Sequence, residues 1–168
     1  MPSKRRSILV SILFVVFGGP GLLLVYLPFW ITRFRIAAEP RWLTILACAL
    51  IVLGLTPLFE SIVRFIRVGR GTLVPNVPTE RLVVTGLYRH VRNPMYVGVL
   101  TSLAGEALLF EKRGMAVLLA AVWLGMHLFV CLYEEPTLTR RHPADYPDYQ
   151  RHVPRWLPRF TPWRSAQQ

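Results

Sequence analysis

Two stretches of this chain carry no charged residue: Ser7 to Thr32, which is 26 residues, and Gly114 to Tyr133, which is 20. About 20 apolar residues in a helix span the hydrocarbon core of a bilayer, where every backbone polar group must be satisfied within the segment. A chain of 168 residues with 53% hydrophobic and 17% charged side chains, arranged in such runs, is excluded from three classes. It is not a soluble globular domain, a disordered chain or a disulfide-stapled module.

Four spans are expected. The first covers about 8–31 and is interrupted by Gly18, Gly19, Pro20 and Gly21, which predict a kink. Lys4, Arg5 and Arg6 ahead of it look like the start of a signal peptide. No small-residue cleavage site follows, and the apolar run exceeds an h-region, so a retained span is expected. The second covers about 42–66. The third, about 95–110, is 16 residues and therefore only about 24 Å long, which implies local thinning, a partly re-entrant path or an earlier start. The fourth is 114–133. Only Glu111, Lys112 and Arg113 separate the last two spans, so these form a tight antiparallel hairpin. The expected fold is an all-α membrane protein, one membrane domain over 1–168, with a loop at 67–94 and an interfacial C-terminal segment at 134–168.

The net charge of +11 follows from topology. With a cytoplasmic N-terminus and four crossings, the inner segments hold 15 of the 20 basic residues and the outer ones 5. The positive-inside rule favours that orientation, with both termini cytoplasmic. The basic residues flank spans and form no separate basic domain, so nucleic acid is not an expected partner. No obligate protein partner is evident. Cys48 and Cys131 lie inside spans without metal-ligand spacing and read as buried free thiols; no metal is expected. Eighteen Arg against two Lys suggests a GC-rich genome and a bacterial plasma membrane.

Two polar segments carry more information than connecting loops usually do. In the first, Pro75 and Pro78 predict an extended crossing of the membrane surface, Thr85-Gly86 a turn, and Leu87 to Val91 a short helix or strand. Asn93-Pro94 then starts the third helix, with Pro94 where a missing N–H costs nothing. The second segment opens with Glu134 and Glu135 at the membrane boundary. They read either as a solvated polar edge or as carboxylates holding a cationic ligand. An uninterrupted helix would place His127, Cys131 and Glu134 on one face. His127 either bonds a neighbouring helix or serves a site. Glu60 can pair with Arg64 four residues on. Glu106 has no such local partner and needs a proton, a helix neighbour or a ligand. Tyr146 and Tyr149 share one side of a short helix, and Trp156 and Trp163 among arginines read as membrane anchors.

With these residues on view, the chain resembles the isoprenylcysteine carboxyl methyltransferases, grouped with the membrane phospholipid N-methyltransferases. The resemblance runs over roughly Gly71 to Phe160. It rests on Tyr-Arg-x-x-Arg-x-Pro-x-Tyr-x-Gly from Tyr88 to Gly98, the paired glutamates after a hydrophobic hairpin, Tyr-x-x-Tyr at Tyr146 and Tyr149, and Val153-Pro154. Arg92-Asn93-Pro94 replaces the Arg-His-Pro usual in the isoprenylcysteine enzymes, and His142-Pro143 stands where relatives often have Phe-Gly.

The resemblance implies an integral membrane enzyme using S-adenosylmethionine, held in a cytoplasmic-side pocket between the 67–94 loop and the C-terminal segment. Tyr88, Arg92, Asn93, Pro94, Tyr96 and Gly98 would line one wall, and Glu134, Glu135, Tyr146 and Tyr149 the other. Carboxylates suit the donor's ammonium or ribose hydroxyls, aromatic faces its sulfonium, and Arg92 its carboxylate. Arg92, Glu106 and His127 are the candidate catalytic residues, the last two for an amine acceptor that must lose a proton. The acceptor would be a lipid or prenylated compound reached through the bilayer, either a carboxyl group or an aminophospholipid. The reading from another class is a non-catalytic membrane protein, such as a transporter subunit or assembly factor, in which Glu60, Glu106 and His127 form an ion path.

Overall fold

The computed structural model describes residues 17–36, 40–68, 82 and 84–164, with side chains described at all of these except 64–68. The described residues are helices joined by turns and extended segments, with no strand among them. The expectations for Lys4 to Arg6, the first half of the first span, the Glu60–Arg64 pair and the Pro75–Pro78 crossing lie outside what is described.

Five helices follow one another: α1 (Gly19–Thr32), α2 (Arg41–Val68), α3 (Pro94–Phe110), α4 (Arg113–Arg141) and α5 (Tyr146–His152). Two are long and apolar enough to cross a membrane, α2 over Arg41–Val63 and α4 over its whole length; α1 and α3 are apolar but shorter. On α2, Ile45, Val52, Leu53 and Phe59 face outward uncovered, and on α4 so do Val117, Leu124, Leu128 and Leu132. Such surfaces are a liability in water and an ordinary one in lipid.

Prolines shape α1 and α4 in the same way. Each contains one widened turn with i→i+5 bonding, Leu22–Tyr26 in α1 and Val130–Glu134 in α4, and each widened turn ends two residues before a proline. Pro28 and Pro136 have no N–H, and their rings crowd the carbonyl four residues back, at Leu24 and Leu132. Widening the turn relieves that crowding: Leu27 N–H reaches Leu22 O, and Glu135 N–H reaches Val130 O. The fourth segment therefore does not stop at Tyr133 as expected. It runs on to Arg141 and carries Glu134 and Glu135 within a continuous helix.

The tightest packing joins α2 to α3 through small residues. Ala47, Gly54 and Ser61 recur every seventh residue on α2, all buried, against Gly98, Ser102 and Gly105 on α3. A Cβ at Gly98 would lie 2.6 Å from Gly54 O, and one at Gly105 would lie 2.6 Å from Ala47 O. Only glycine permits such an approach of backbones, the mode by which helices associate in lipid. The expected hairpin of α3 and α4 is present, turned at Glu111 in the left-handed region (φ 46), but α3 rests far more extensively on α2 than on α4. Leu24 of α1, Leu58 of α2, Val99, Leu103 and Phe110 of α3, and Met115 and Val122 of α4 close one apolar core.

Candidate active site at the polar end of the bundle

Ahead of α3 the chain makes one tight turn, Gly86–Arg89, which Gly86 permits by adopting φ 58. Pro94 then opens α3 at its first position, as the sequence predicts. After α5 the chain forms no regular element and bends repeatedly, and this 153–164 strap lies along the 89–93 turn through backbone bonds. Arg92 N–H donates to Pro154 O at 2.9 Å, Arg159 N–H to His90 O at 2.9 Å and Trp163 N–H to Arg89 O at 2.9 Å. Side chains lace the same seam. His90 Nδ1 lies 2.8 Å from Arg159 O, Arg89 Nε donates to Trp163 O at 2.6 Å, and Asn93 Nδ2 donates to Arg155 O at 3.1 Å.

Glu135 is the knot that ties α4 to both sides of this seam. Its Oε1 accepts from Arg92 Nη1 at 2.7 Å and from Arg155 Nε at 2.8 Å; its Oε2 accepts from Arg155 Nη2 at 2.8 Å and Gln150 Nε2 at 3.0 Å. The Arg155 fork is bidentate, the geometry in which arginine holds a carboxylate most firmly. Two guanidinium groups share this one carboxylate. Arg92, whose side chain is 10% exposed, has its Nε buried and without a hydrogen-bond partner among the described residues. A buried arginine N–H without a partner among the described residues suits a ligand that brings a carboxylate.

Tyrosines frame the cluster. Tyr96, in the first turn of α3, donates through its hydroxyl to Glu134 Oε2 at 3.1 Å. Tyr149 donates to Tyr88 O at 2.7 Å, and Tyr146 and Tyr149 pack with Val153 into a small second core under the strap. Burial, with Glu135 nearby, pushes the Tyr146 phenol up to about 12, although a hydrogen bond with Arg92 pulls the other way; burial also pushes Tyr149 up. Both hydroxyls therefore stay protonated donors at any ordinary pH. Arg155 is pushed up by its hydrogen bonds to Glu135.

The fold brings Tyr88, Arg92, Asn93, Pro94, Tyr96, Glu134, Glu135, Tyr146 and Tyr149 to this one end of the bundle. Glu135 differs from the expectation of a ligand-facing carboxylate: both of its oxygens are taken by protein donors. Gly98 also departs from the pocket wall, because its open side is filled by Gly54 and Leu58 of α2. Glu106 is buried, with Oε2 lacking a hydrogen-bond partner among the described residues, but it lies roughly 18 Å along α3 from Pro94. It belongs to the other end of the bundle.

His127 and Glu134 bond to different elements, because the widened turn at Val130–Glu134 interrupts the face they would share. His127 stacks on Trp123, contacts Cys131 Sγ at 3.7 Å through Nε2, and accepts at Nδ1 from the Trp156 indole N–H at 3.3 Å. An indole only donates, so Nδ1 carries the lone pair and Nε2 the proton. Trp156 and Trp163, expected as anchors, are both half-buried. Trp163 stacks on His152 and packs against Tyr149. Sequence reasoning missed Arg155, Gln150 and His90. The available signal was that two buried-boundary carboxylates require nearby cations, and Arg155 directly follows the Val-Pro of the motif.

The phospholipid methyltransferase family model matches residues 42–144, from the start of α2 to just past α4 and covering more than half of the chain. The chain belongs to the phospholipid methyltransferase family. The family match thus takes in Arg92, Tyr96, Glu134 and Glu135, while α5 and the strap that complete this cluster fall beyond it. The chain is also similar to the nickel-cobalt-cadmium resistance protein NccN of Alcaligenes xylosoxydans xylosoxydans, 32% identical over 87 residues, which is 52% of this chain and 40% of that protein. It therefore spans less than half the length of that relative. No solved structure matches.

Proposed function

We propose that this chain is a multi-pass membrane methyltransferase that takes its methyl group from S-adenosylmethionine and transfers it to a lipid or lipid-like acceptor. The observation that carries this reading is the Arg92–Glu135–Arg155 cluster, assembled with Tyr96, Glu134 and Tyr146 where the family-matched helices α3 and α4 meet. S-adenosylmethionine supplies an activated methyl group when bound. The rest is positioning and exclusion of water by the chain's own residues. The buried Nε of Arg92 suits a carboxylate, and Glu135 acts by holding Arg92 in place. Glu134 and the Tyr96 and Tyr146 rings suit an ammonium or sulfonium.

The proposal includes four spans in one membrane domain over 1–168, both termini cytoplasmic, the pocket on that side, and a bacterial plasma membrane. The acceptor reaches the pocket from the bilayer. A carboxylate acceptor needs no base. An amine acceptor would have to lose its proton to a group other than His127, both of whose ring nitrogens are engaged.

The test is calorimetric titration of the detergent-purified protein with S-adenosylhomocysteine. Micromolar binding is expected, weakened about tenfold, or about 1.4 kcal/mol, by Arg92→Ala. Absence of binding to a monodisperse, cooperatively melting sample overturns the reading. A second reading, a non-catalytic membrane protein, draws on the relative with a metal-resistance name and on Glu106 Oε2, which has no hydrogen-bond partner among the described residues. It predicts no such binding.

A further inference from the structure

The strap between α5 and the C-terminus holds its aromatic rings in the reverse of the expected arrangement. Trp156 and Trp163 turn inward, whereas Leu157 is 80% exposed and Phe160 is 101% exposed. These two side chains do not sit on a free tail. Backbone bonds at Pro154, Arg159 and Trp163 fix the segment on both sides of them, and Arg159 adds bonds to His152 O and Thr161 Oγ1. A fixed loop that displays a bare Leu and a bare Phe three residues apart suits a partner that removes both from water.

The depth of the strap identifies that partner. The Trp156 indole bonds His127 Nδ1 at 3.3 Å, and the two rings lie 6.1 Å apart. His127 is seven residues before Glu134 in α4, roughly 10 Å further along the helix from the polar boundary. Leu157 follows Trp156 directly, and Trp156 is bonded at the level of α4 where Leu124 and Leu128 are themselves bare. On the polar side of this level, Arg140, Arg141, Arg151 and Arg164 are exposed. Apolar tips below a band of cations match the acyl boundary and anionic headgroups of a bilayer.

We infer that Leu157 and Phe160 form a wedge inserted into the lipid leaflet beside α4, holding the Arg155–Glu135–Arg92 cluster against lipid. The inference rests on the membrane reading above. Insertion places bilayer lipid within two residues of Arg155, so the wedge marks the edge of the site past which a lipid acceptor travels.

The experiment uses the full chain in vesicles of phosphatidylcholine and phosphatidylglycerol, in a Cys48→Ala, Cys131→Ala background. Single spin labels are placed by Leu157→Cys, Phe160→Cys, Leu128→Cys on α4 and the exposed Ala144→Cys. Collision rates with oxygen and with a water-soluble nickel chelate are then compared. Labels at 157 and 160 are expected to match 128, with an oxygen-to-nickel ratio severalfold above that at 144. A ratio at 157 and 160 equal to that at 144, with 128 still in lipid, overturns the wedge alone. Labels at 157 and 160 shielded from both agents overturn it in favour of a protein contact. A water-exposed label at 128 overturns the membrane reading together with the wedge.

Discussion

The α2–α3 seam and the Glu135 cluster both bring distant parts of the chain into close contact, but by opposite means. At the seam, Gly54, Gly98 and Gly105 let backbones touch, and no charge takes part. At the cluster, long side chains reach across a gap, and one carboxylate accepts four hydrogen bonds from Arg92, Arg155 and Gln150. Within lipid there is little hydrophobic force between helices, so the seam depends on dispersion at contact distance. Near the polar boundary, charges can be paired at tolerable desolvation cost, and their donors can be reoriented by a ligand. The seam is a scaffold with one solution; the cluster is where an exchange of partners is chemically possible.

The comparison is broken most forcefully at Glu135. Glu135→Ala leaves Arg92 buried at 10% exposure without its counter-ion, a loss expected to cost about 3–5 kcal/mol. Thermal unfolding in detergent measures it. An unchanged melting temperature would mean that the cluster does not hold the strap down.

Next comes the seam. Gly98→Leu forces a side chain into a space where even a Cβ meets Gly54 O at 2.6 Å, an overpacking cost of about 1–3 kcal/mol or more. Gly125→Ala is the matched control, because nothing among the described residues lies within 4 Å of its added Cβ. It is expected to stabilise α4 by about 0.5–1 kcal/mol. If Gly98→Leu lowered S-adenosylhomocysteine affinity without lowering the melting temperature, Gly98 would belong to the pocket after all. Arg155→Lys sharpens the contrast at smaller scale. The fork at Glu135 is lost while the charge is kept, and at 30% exposure the expected loss is about 1 kcal/mol or less. A melting drop as large as that of Glu135→Ala would show that Arg155, not Glu135, is the centre of the cluster.

Several parts of this arrangement were legible in the residues themselves. Pro94 announced the start of α3, the short Glu111–Arg113 link announced a hairpin, and the Tyr88–Gly98 motif with the paired glutamates marked the polar end. The seam was not legible. Small residues seven apart on α2 acquire meaning only when a second helix presents its own glycines to them. The extension of α4 was hidden because the charge-free run ends at Tyr133, and only the widened turn before Pro136 lets the helix continue. The inward tryptophans were missed for a related reason. Among arginines near a membrane, Trp156 fits an anchor equally well, and its partner His127 lies 29 residues away. Glu135 likewise meets Arg92 across 43 residues and Arg155 across 20.

An effect of similarly small size lies where the two modes of contact meet, under the strap. Tyr149 is buried like a seam residue but works like a cluster residue, donating to Tyr88 O at 2.7 Å. Tyr149→Phe keeps the ring packing and leaves that carbonyl without its donor, at a cost of about 0.5–1.5 kcal/mol. Its pH signature distinguishes it from a plain packing defect. An unfolded tyrosine ionises near about 10, whereas folding pushes Tyr146 up to about 12 and raises Tyr149 as well. Above pH 10 the unfolded chain releases phenolic protons that the folded chain keeps. Stability from these hydroxyls is therefore complete below about pH 10 and falls as pH rises through the raised values. Melting followed from pH 8 to 11.5 is expected to show this alkaline fall in the wild type and a shallower one in Tyr149→Phe. Equal slopes would mean that the hydroxyl is not buried as a donor.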